Sequence, residues 1–269
     1  MGSAEMQGKI WSEAPEDWLE NERFGIPFYE AVFSALGIQR GTRLLDIGCG
    51  AGLALTMARD RGAKVSGIDA APGLLEVARR RLPETELLQG EIESLPYPDG
   101  SFDVVTSFNA VQFAADPVNA LREAARVTAE GGRVALVTWG DPERCDIRFV
   151  LAAVAPLMPS PPPGAPGPFA LSAPGKLEEL AVAGGLRPEK GADVPAPFTF
   201  NDLDVALRIQ LSAGPFRRAM AHSGEDVVRK AVADAFSAFR QPDGSYRLHN
   251  EFRYLIAEPV AHLADRGVD

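Results

Sequence analysis

Residues 44–52 read Leu44-Leu45-Asp46-Ile47-Gly48-Cys49-Gly50-Ala51-Gly52. An apolar run ends in three alternating glycines, and Leu53–Arg61 then takes up apolar spacing near 3.6 residues. That spacing predicts a buried strand, a tight turn and a helix. Glycine tolerates positive φ and lets backbone approach a ligand closely. The start of the following helix offers N–H groups and a positive dipole end, so the turn suits a compact anionic group, either pyrophosphate or carboxylate.

The same alternation continues to about residue 140. Lys64–Ile68, Glu86–Gln89, Phe102–Phe108 and Arg133–Trp139 read as further buried strands, and Pro72–Leu82 and Pro117–Thr128 as helices between them. Pro72 and Pro117 suit first-turn positions. Strands alternating with helices predict a parallel sheet covered on both faces. After residue 168 the pattern changes. Leu177–Ala183, a stretch from Asp202 to Ser212, and Glu225–Phe239 read as helices, and Gly191–Phe200 as an interrupted strand. Ser245–Ala257 alternates as one long final strand with a wetter face, more like an antiparallel edge pair than another parallel strand.

The chain has 269 residues, 27 basic against 37 acidic side chains, 46% apolar residues and a net charge of −10. This is the composition of a soluble globular protein of one or two domains. The acidic balance speaks against a nucleic-acid partner and against anionic membrane surfaces. Six acids fall within the first 22 residues, where they read as a solvated helix face. Two cysteines are too few for a disulfide framework. No apolar segment is long enough to cross a bilayer, and no signal-peptide pattern is present, so a cytoplasmic location is expected. No metal-ligand cluster is apparent.

The glycine spacing narrows the ligand. A dinucleotide loop reads G-x-G-x-x-G, whereas here the third glycine arrives one residue early and Leu53 fills the later place. Asp46 stands two residues before the first glycine, where a nicotinamide-binding strand is normally apolar. A carboxylate there suits a ligand with an amino-acid end. Asp69, at the tip of the second strand, is placed either to take both hydroxyls of a ribose or to cap the helix that begins at Pro72. Beyond the third strand, Glu91 is positioned for an exocyclic amine and Ile92 for the face of an aromatic base, unless this is a solvated acidic loop. Asn109 and Gln112 follow the fourth strand, at the crevice or as capping residues.

The runs LLDIGCGAG, VSGIDA, GEIESLPYPDGSFDVV and ALREAARVTAEGGRVALVTW together resemble class I S-adenosylmethionine-dependent methyltransferases, in particular the small-molecule branch that includes the ubiquinone and menaquinone biosynthesis enzymes. The resemblance covers about residues 40–140. It implies a Rossmann-like, doubly wound α/β fold with a seven-stranded sheet, an antiparallel last strand and a helical lid insertion. It implies S-adenosylmethionine as cofactor, S-adenosylhomocysteine as product and a small-molecule methyl acceptor. By position, Asp46, Gly48, Cys49 and Gly50 would hold the methionine end, Asp69 and Ala70 the ribose and adenine edge, Glu91 and Ile92 the adenine, and Asn109 the vicinity of the sulfonium. Many relatives carry Asp at the place of Glu91, a bulkier residue at Ala70 and His at Gln112.

The expected organisation is an N-terminal helical cap (1–35), a cofactor-binding core (36–140), a Pro-rich connection with the return to the sheet (141–200), a helical lid insertion (201–240), and the last strand and tail (241–269). Trp11, Trp18, Phe24, Phe28 and Tyr29 either pack a helix on the sheet or close the acceptor pocket. Three histidines are candidates for a general base. His249 falls on the polar face of the last strand and His262 in the tail. His222, between the lid helices, is the one with reach toward a pocket, and Gln112 is a second catalytic candidate. Two other readings are a non-catalytic module that binds S-adenosylmethionine and a nicotinamide oxidoreductase.

Overall fold

The computed structural model describes residues 4–160 and 167–260; His262 lies outside them. Three helices, α1 (Ala4–Trp11), α2 (Pro15–Asn21) and α3 (Ile26–Leu36), precede β1 (Arg43–Ile47). There follow α4 (Leu53–Asp60), β2 (Lys64–Asp69), α5 (Pro72–Arg81), β3 (Glu86–Gln89), β4 (Phe102–Phe108), α6 (Pro117–Val127) and β5 (Thr128–Trp139). The second half holds α7 (Ile147–Val154), α8 (Lys176–Ala183), β6 (Leu186–Pro195) and β7 (Phe198–Phe200). It continues with α9 (Leu203–Leu211), α10 (Gly214–Ser223), α11 (Glu225–Phe236), β8 (Tyr246–Leu248) and β9 (Glu251–Pro259).

Seven strands form one sheet in the order β3-β2-β1-β4-β5-β9-β6. The first five are parallel, and β9 runs antiparallel to both β5 and β6. Alternation along each strand divides the core. Leu45, Ile47, Val105 and Leu136 pack with Leu121 of α6 and Leu177 of α8. Leu44, Val104, Ala135 and Val137 face the opposite cluster, with Phe33 of α3 and Leu55 of α4.

Two expectations are corrected. The last strand is not continuous: β8 pairs with β7 in a separate two-stranded sheet, and β9 begins three residues later. Between them His249 N–H donates to the Asp146 carboxylate, Asn250 Oδ1 accepts from Ile147 N–H, and Asn250 O accepts from Ala196 N–H. Those bonds turn the backbone toward the start of α7 and interrupt the ladder, although the side-chain alternation carries on through the break. Nor is β9 at an edge. It is flanked on both sides, and Phe252, Tyr254, Leu255, Ile256 and Ala257 are all buried. The edge on this side is β6, blunted by Pro188, Lys190 and Pro195. The helix α10 was also not anticipated.

Candidate functional site

Because β1 to β5 are parallel, their carboxyl ends open on one edge, where open α/β sheets place ligands. A cavity of about 230 Å³ lies there. Its floor includes Gly48 and Gly50 after β1, Asp69 and Ala70 at β2, Gly90 to Glu93 after β3, Phe108 to Ala110 with Gln112 at β4, and Trp139 at the end of β5. Its roof comes from elsewhere in the chain. Trp11, Trp18, Phe24, Phe28 and Tyr29 contribute from the N-terminal helices, and Gln210, Ala213, Pro215 and Phe216 from α9 and α10. The N-terminal aromatics line the cavity, and Phe28 and Tyr29 also pack on the sheet against Phe108.

The glycine loop is shaped by close approaches. Gly48 has φ +78°, and a Cβ there would stand 2.3 Å from the Ala110 Cβ. Gly50 and Gly52 also have positive φ, and the Trp18 indole Nε1 lies 3.6 Å from the place a Gly50 Cβ would take. Asn109 is the one non-glycine with positive φ among the described residues. Its N–H donates to Val137 O (2.9 Å) and its Oδ1 accepts from Gln112 Nε2 (2.5 Å). A left-handed residue at the tip of a strand is a costly conformation of the kind found at ligand sites.

The loop differs from an open anion cradle. Gly48 and Cys49 N–H both donate to Ile68 O, Gly50 N–H to Asp69 Oδ2 (2.7 Å) and Gly52 N–H to Cys49 O. The buried Glu22 carboxylate pairs with Arg81, whose guanidinium also donates to Ala51 O of the loop. With these donors engaged and acids close by, the loop suits a cationic group such as an ammonium better than a phosphate.

Asp69 is not the N-cap of α5, a place that Ala71 takes without a side-chain cap, but it holds the backbone around it. Besides Gly50 N–H, it accepts from Ala71 N–H (2.8 Å), the residue just before α5, and it still lines the cavity. Burial pushes its carboxyl above the usual range, opposed by these backbone donors. Asp46 and Cys49 do not line the cavity. Asp46 lies beneath the loop, accepting from Thr106 Oγ1 (2.7 Å) on β4, and burial pushes its carboxyl up to about 8, helped by the charge of Asp69. Cys49 is packed in the core with its thiol pushed up by burial. His222 is exposed at the end of α10 and is not among the lining residues, so its expected reach to the pocket is corrected.

Glu22, Asn21 and Gln210 were not singled out from the sequence. Glu22 is buried and its carboxyl is pushed up to about 7 by burial, against the opposing Arg81 guanidinium. Asn21 Nδ2 donates to Ile209 O (3.0 Å), tying α2 to α9. The acids before it are paired as well as solvated. Glu13 meets Arg217, Glu16 meets Arg80, and Asp17 and Glu20 both meet Arg208. The N-terminal helices are thereby fastened to α5 on one side and to α9 and α10 on the other. Gly8 lies against the Ala70 carbonyl, where a Cβ would approach to 2.3 Å. Among the described residues no cluster of His, Cys, Asp and Glu could hold a metal, and no helix is long and apolar enough to cross a membrane.

Comparison with known proteins agrees with this geometry. Residues 45–136 match the model of the methyltransferase domain family. Over 98 residues the chain is 44% identical to a malonyl-[acyl-carrier protein] O-methyltransferase of Serratia marcescens, covering 36% of this chain and 38% of that one. Over 111 residues it is 34% identical to a demethylmenaquinone methyltransferase of Renibacterium salmoninarum, covering 41% and 47%. The chain therefore spans less than half the length of either relative. The crystal structure of the YcgJ protein of Bacillus subtilis superposes with a TM-score of 0.56 at 23% identity, over 86% of this chain and 97% of that one. Through the segment that holds the glycine loop, Asp69 and Asn109, the chain is thus similar to methyltransferases.

Proposed function

We propose that the protein transfers a methyl group from S-adenosylmethionine to a small-molecule acceptor held between the sheet edge and the overlying helices. The observation that carries this reading is one cavity joining the carboxyl ends of β1 to β4 to an aromatic roof. Asp69 would accept from the ribose hydroxyls, Glu91 and Ile92 would border the adenine, and Gly48, Gly50 and Asn109 would face the methionine end. Asp46 and Cys49 would act from below, by holding the loop. When bound, S-adenosylmethionine supplies an activated methyl group, so the chain's own contribution is alignment and exclusion of water. Trp11, Trp18, Phe28 and Phe216 keep the cavity dry, and Asn109 and Gln112 present amides at its base.

Residues 1–35 and 141–240 supply the acceptor side of this division and residues 36–140 the cofactor side. Two buried, unpaired cysteines and the acidic charge fit a cytoplasmic enzyme without a nucleic-acid partner. A melting scan tests the cofactor. At 100 times its dissociation constant a ligand adds about 2.7 kcal/mol, so S-adenosylhomocysteine should raise the melting temperature by roughly 5–10 °C and NAD should not. No shift with the first, or a shift with NAD alone, would overturn the reading.

A further inference from the structure

The acceptor half of the cavity has an uneven chemistry. Its walls are aromatic and aliphatic, from Phe24, Phe28, Trp139, Leu151, Phe198 and Phe252. Among the described residues no Lys, Arg or His lines any part of it, whereas Glu22, Asp69, Glu91 and Glu93 do. Arg81, the guanidinium nearest the glycine loop, is taken up by Glu22 and by Ala51 O (3.0 Å). A carboxylate or phosphate on the acceptor would give up its water with no lining cation of the protein in compensation.

One polar side chain in the roof is left without a partner. Gln210, on the inner face of α9, is 3% exposed and lines the cavity, and its amide oxygen bonds nothing among the described residues. Buried side-chain oxygens are normally satisfied. Its neighbour Ile209 gives its carbonyl to Asn21, so α9 is held in place from below while the Gln210 amide stays free. Gln112 has a second unpartnered amide oxygen at the base of the cavity.

We propose that Gln210 is a specificity-determining residue that accepts a hydrogen bond from a hydroxyl or N–H of an uncharged, largely apolar acceptor, and that the cavity rejects anionic acceptors. The proposal rests on the methyltransferase reading and narrows it. It separates this chain from a relative whose name specifies a malonyl group, since a free carboxylate finds no counter-charge here.

The test is equilibrium dialysis of the whole protein, saturated with S-adenosylhomocysteine, against 2-naphthol, naphthalene and 2-naphthoate. Failure of S-adenosylhomocysteine to bind would sink the methyltransferase reading itself, before any acceptor probe is added. With it bound, 2-naphthol should bind more tightly than 2-naphthoate by more than about tenfold, the penalty for an unpaired buried charge. Gln210→Met removes the unpartnered oxygen at similar volume, so its melting temperature should hold or rise. It should weaken 2-naphthol by about 5- to 10-fold, one hydrogen bond, and leave naphthalene unchanged. The proposal is overturned if 2-naphthoate binds as well as 2-naphthol, if 2-naphthol does not bind, or if Gln210→Met shifts naphthol and naphthalene alike.

Discussion

Removing the Asp69 carboxylate should damage the fold and the cofactor site together, in separable amounts. It holds Gly50 N–H at 2.7 Å and Ala71 N–H at 2.8 Å, so Asp69→Ala leaves two buried donors unpaired. Hydrogen bonds to a charged group contribute about 1.5–3 kcal/mol each. The variant also regains part of the desolvation that raises the Asp69 pKa, and a net loss of roughly 2–3 kcal/mol remains. In a chain of this length that lowers the melting temperature by roughly 4–12 °C. If Asp69 is the ribose ligand proposed above, the hydroxyls lose the same acceptor, and S-adenosylhomocysteine should bind about 10- to 1000-fold more weakly. Asp69→Asn keeps one oxygen for one N–H and should fall between the two in both measures. Calorimetric titration and thermal melting of the three proteins give both numbers. A stability loss alone does not identify a ribose ligand, because Asp69 holds the Gly50 and Ala71 N–H groups in any case. Affinity decides: unchanged binding in a destabilised Asp69→Ala would refute the ribose role.

Three further outcomes are expected. Glu22 has a folded pKa of about 7, above its ordinary 4.5, so folding favours its protonated form; that stabilisation is complete below the unfolded value and is lost as pH rises through about 7. Glu22→Gln should therefore gain stability relative to the parent between pH 4.5 and 7, and denaturant unfolding showing a pH-independent difference would contradict the assignment. Arg208→Ala removes both ties to Asp17 and Glu20 and should cost about 0.5–1 kcal/mol at low salt, with little effect in 0.5 M NaCl; a loss of the same size at both salt levels would point to packing. Replacing residues 201–240 by the corresponding helices of a relative should change acceptor preference while S-adenosylhomocysteine affinity stays within a few-fold, and a folded chimera that no longer binds it would count against the division of labour.

The fold of the first half was legible because its signals are local. Three glycines in a fixed spacing, an acid at the next strand tip and runs of Val, Ile and Leu between helical stretches can each be read within a window of ten residues. The second half was less so. The alternation from Tyr246 to Ile256 describes two strands as well as one, since the break at His249 and Asn250 is made by bonds to residues about 50 and 100 positions away. The acids from Glu13 to Glu22 look solvated in the sequence because their arginines, Arg80, Arg81, Arg208 and Arg217, are remote along the chain. Gln210 carried no signal at all: a single amide in an apolar helix acquires meaning only once the fold places it in a wall of aromatics.

The placement of β9 bears on the order in which the molecule can be assembled. β5 closes at Trp139 and β6 at Pro195, yet neither has β9 beside it until residues 251–259 slide between them. During synthesis the five parallel strands can pair early, whereas β6 must wait, with its long-range closure delayed by its distance along the chain. For that interval the outer side of β5 presents an unpaired ladder, a template on which another chain can pair. A ribosome stalled anywhere between residues 196 and 250 would therefore carry a nascent chain with its first five strands formed and one edge open, and chaperone demand should peak over that stretch of translation.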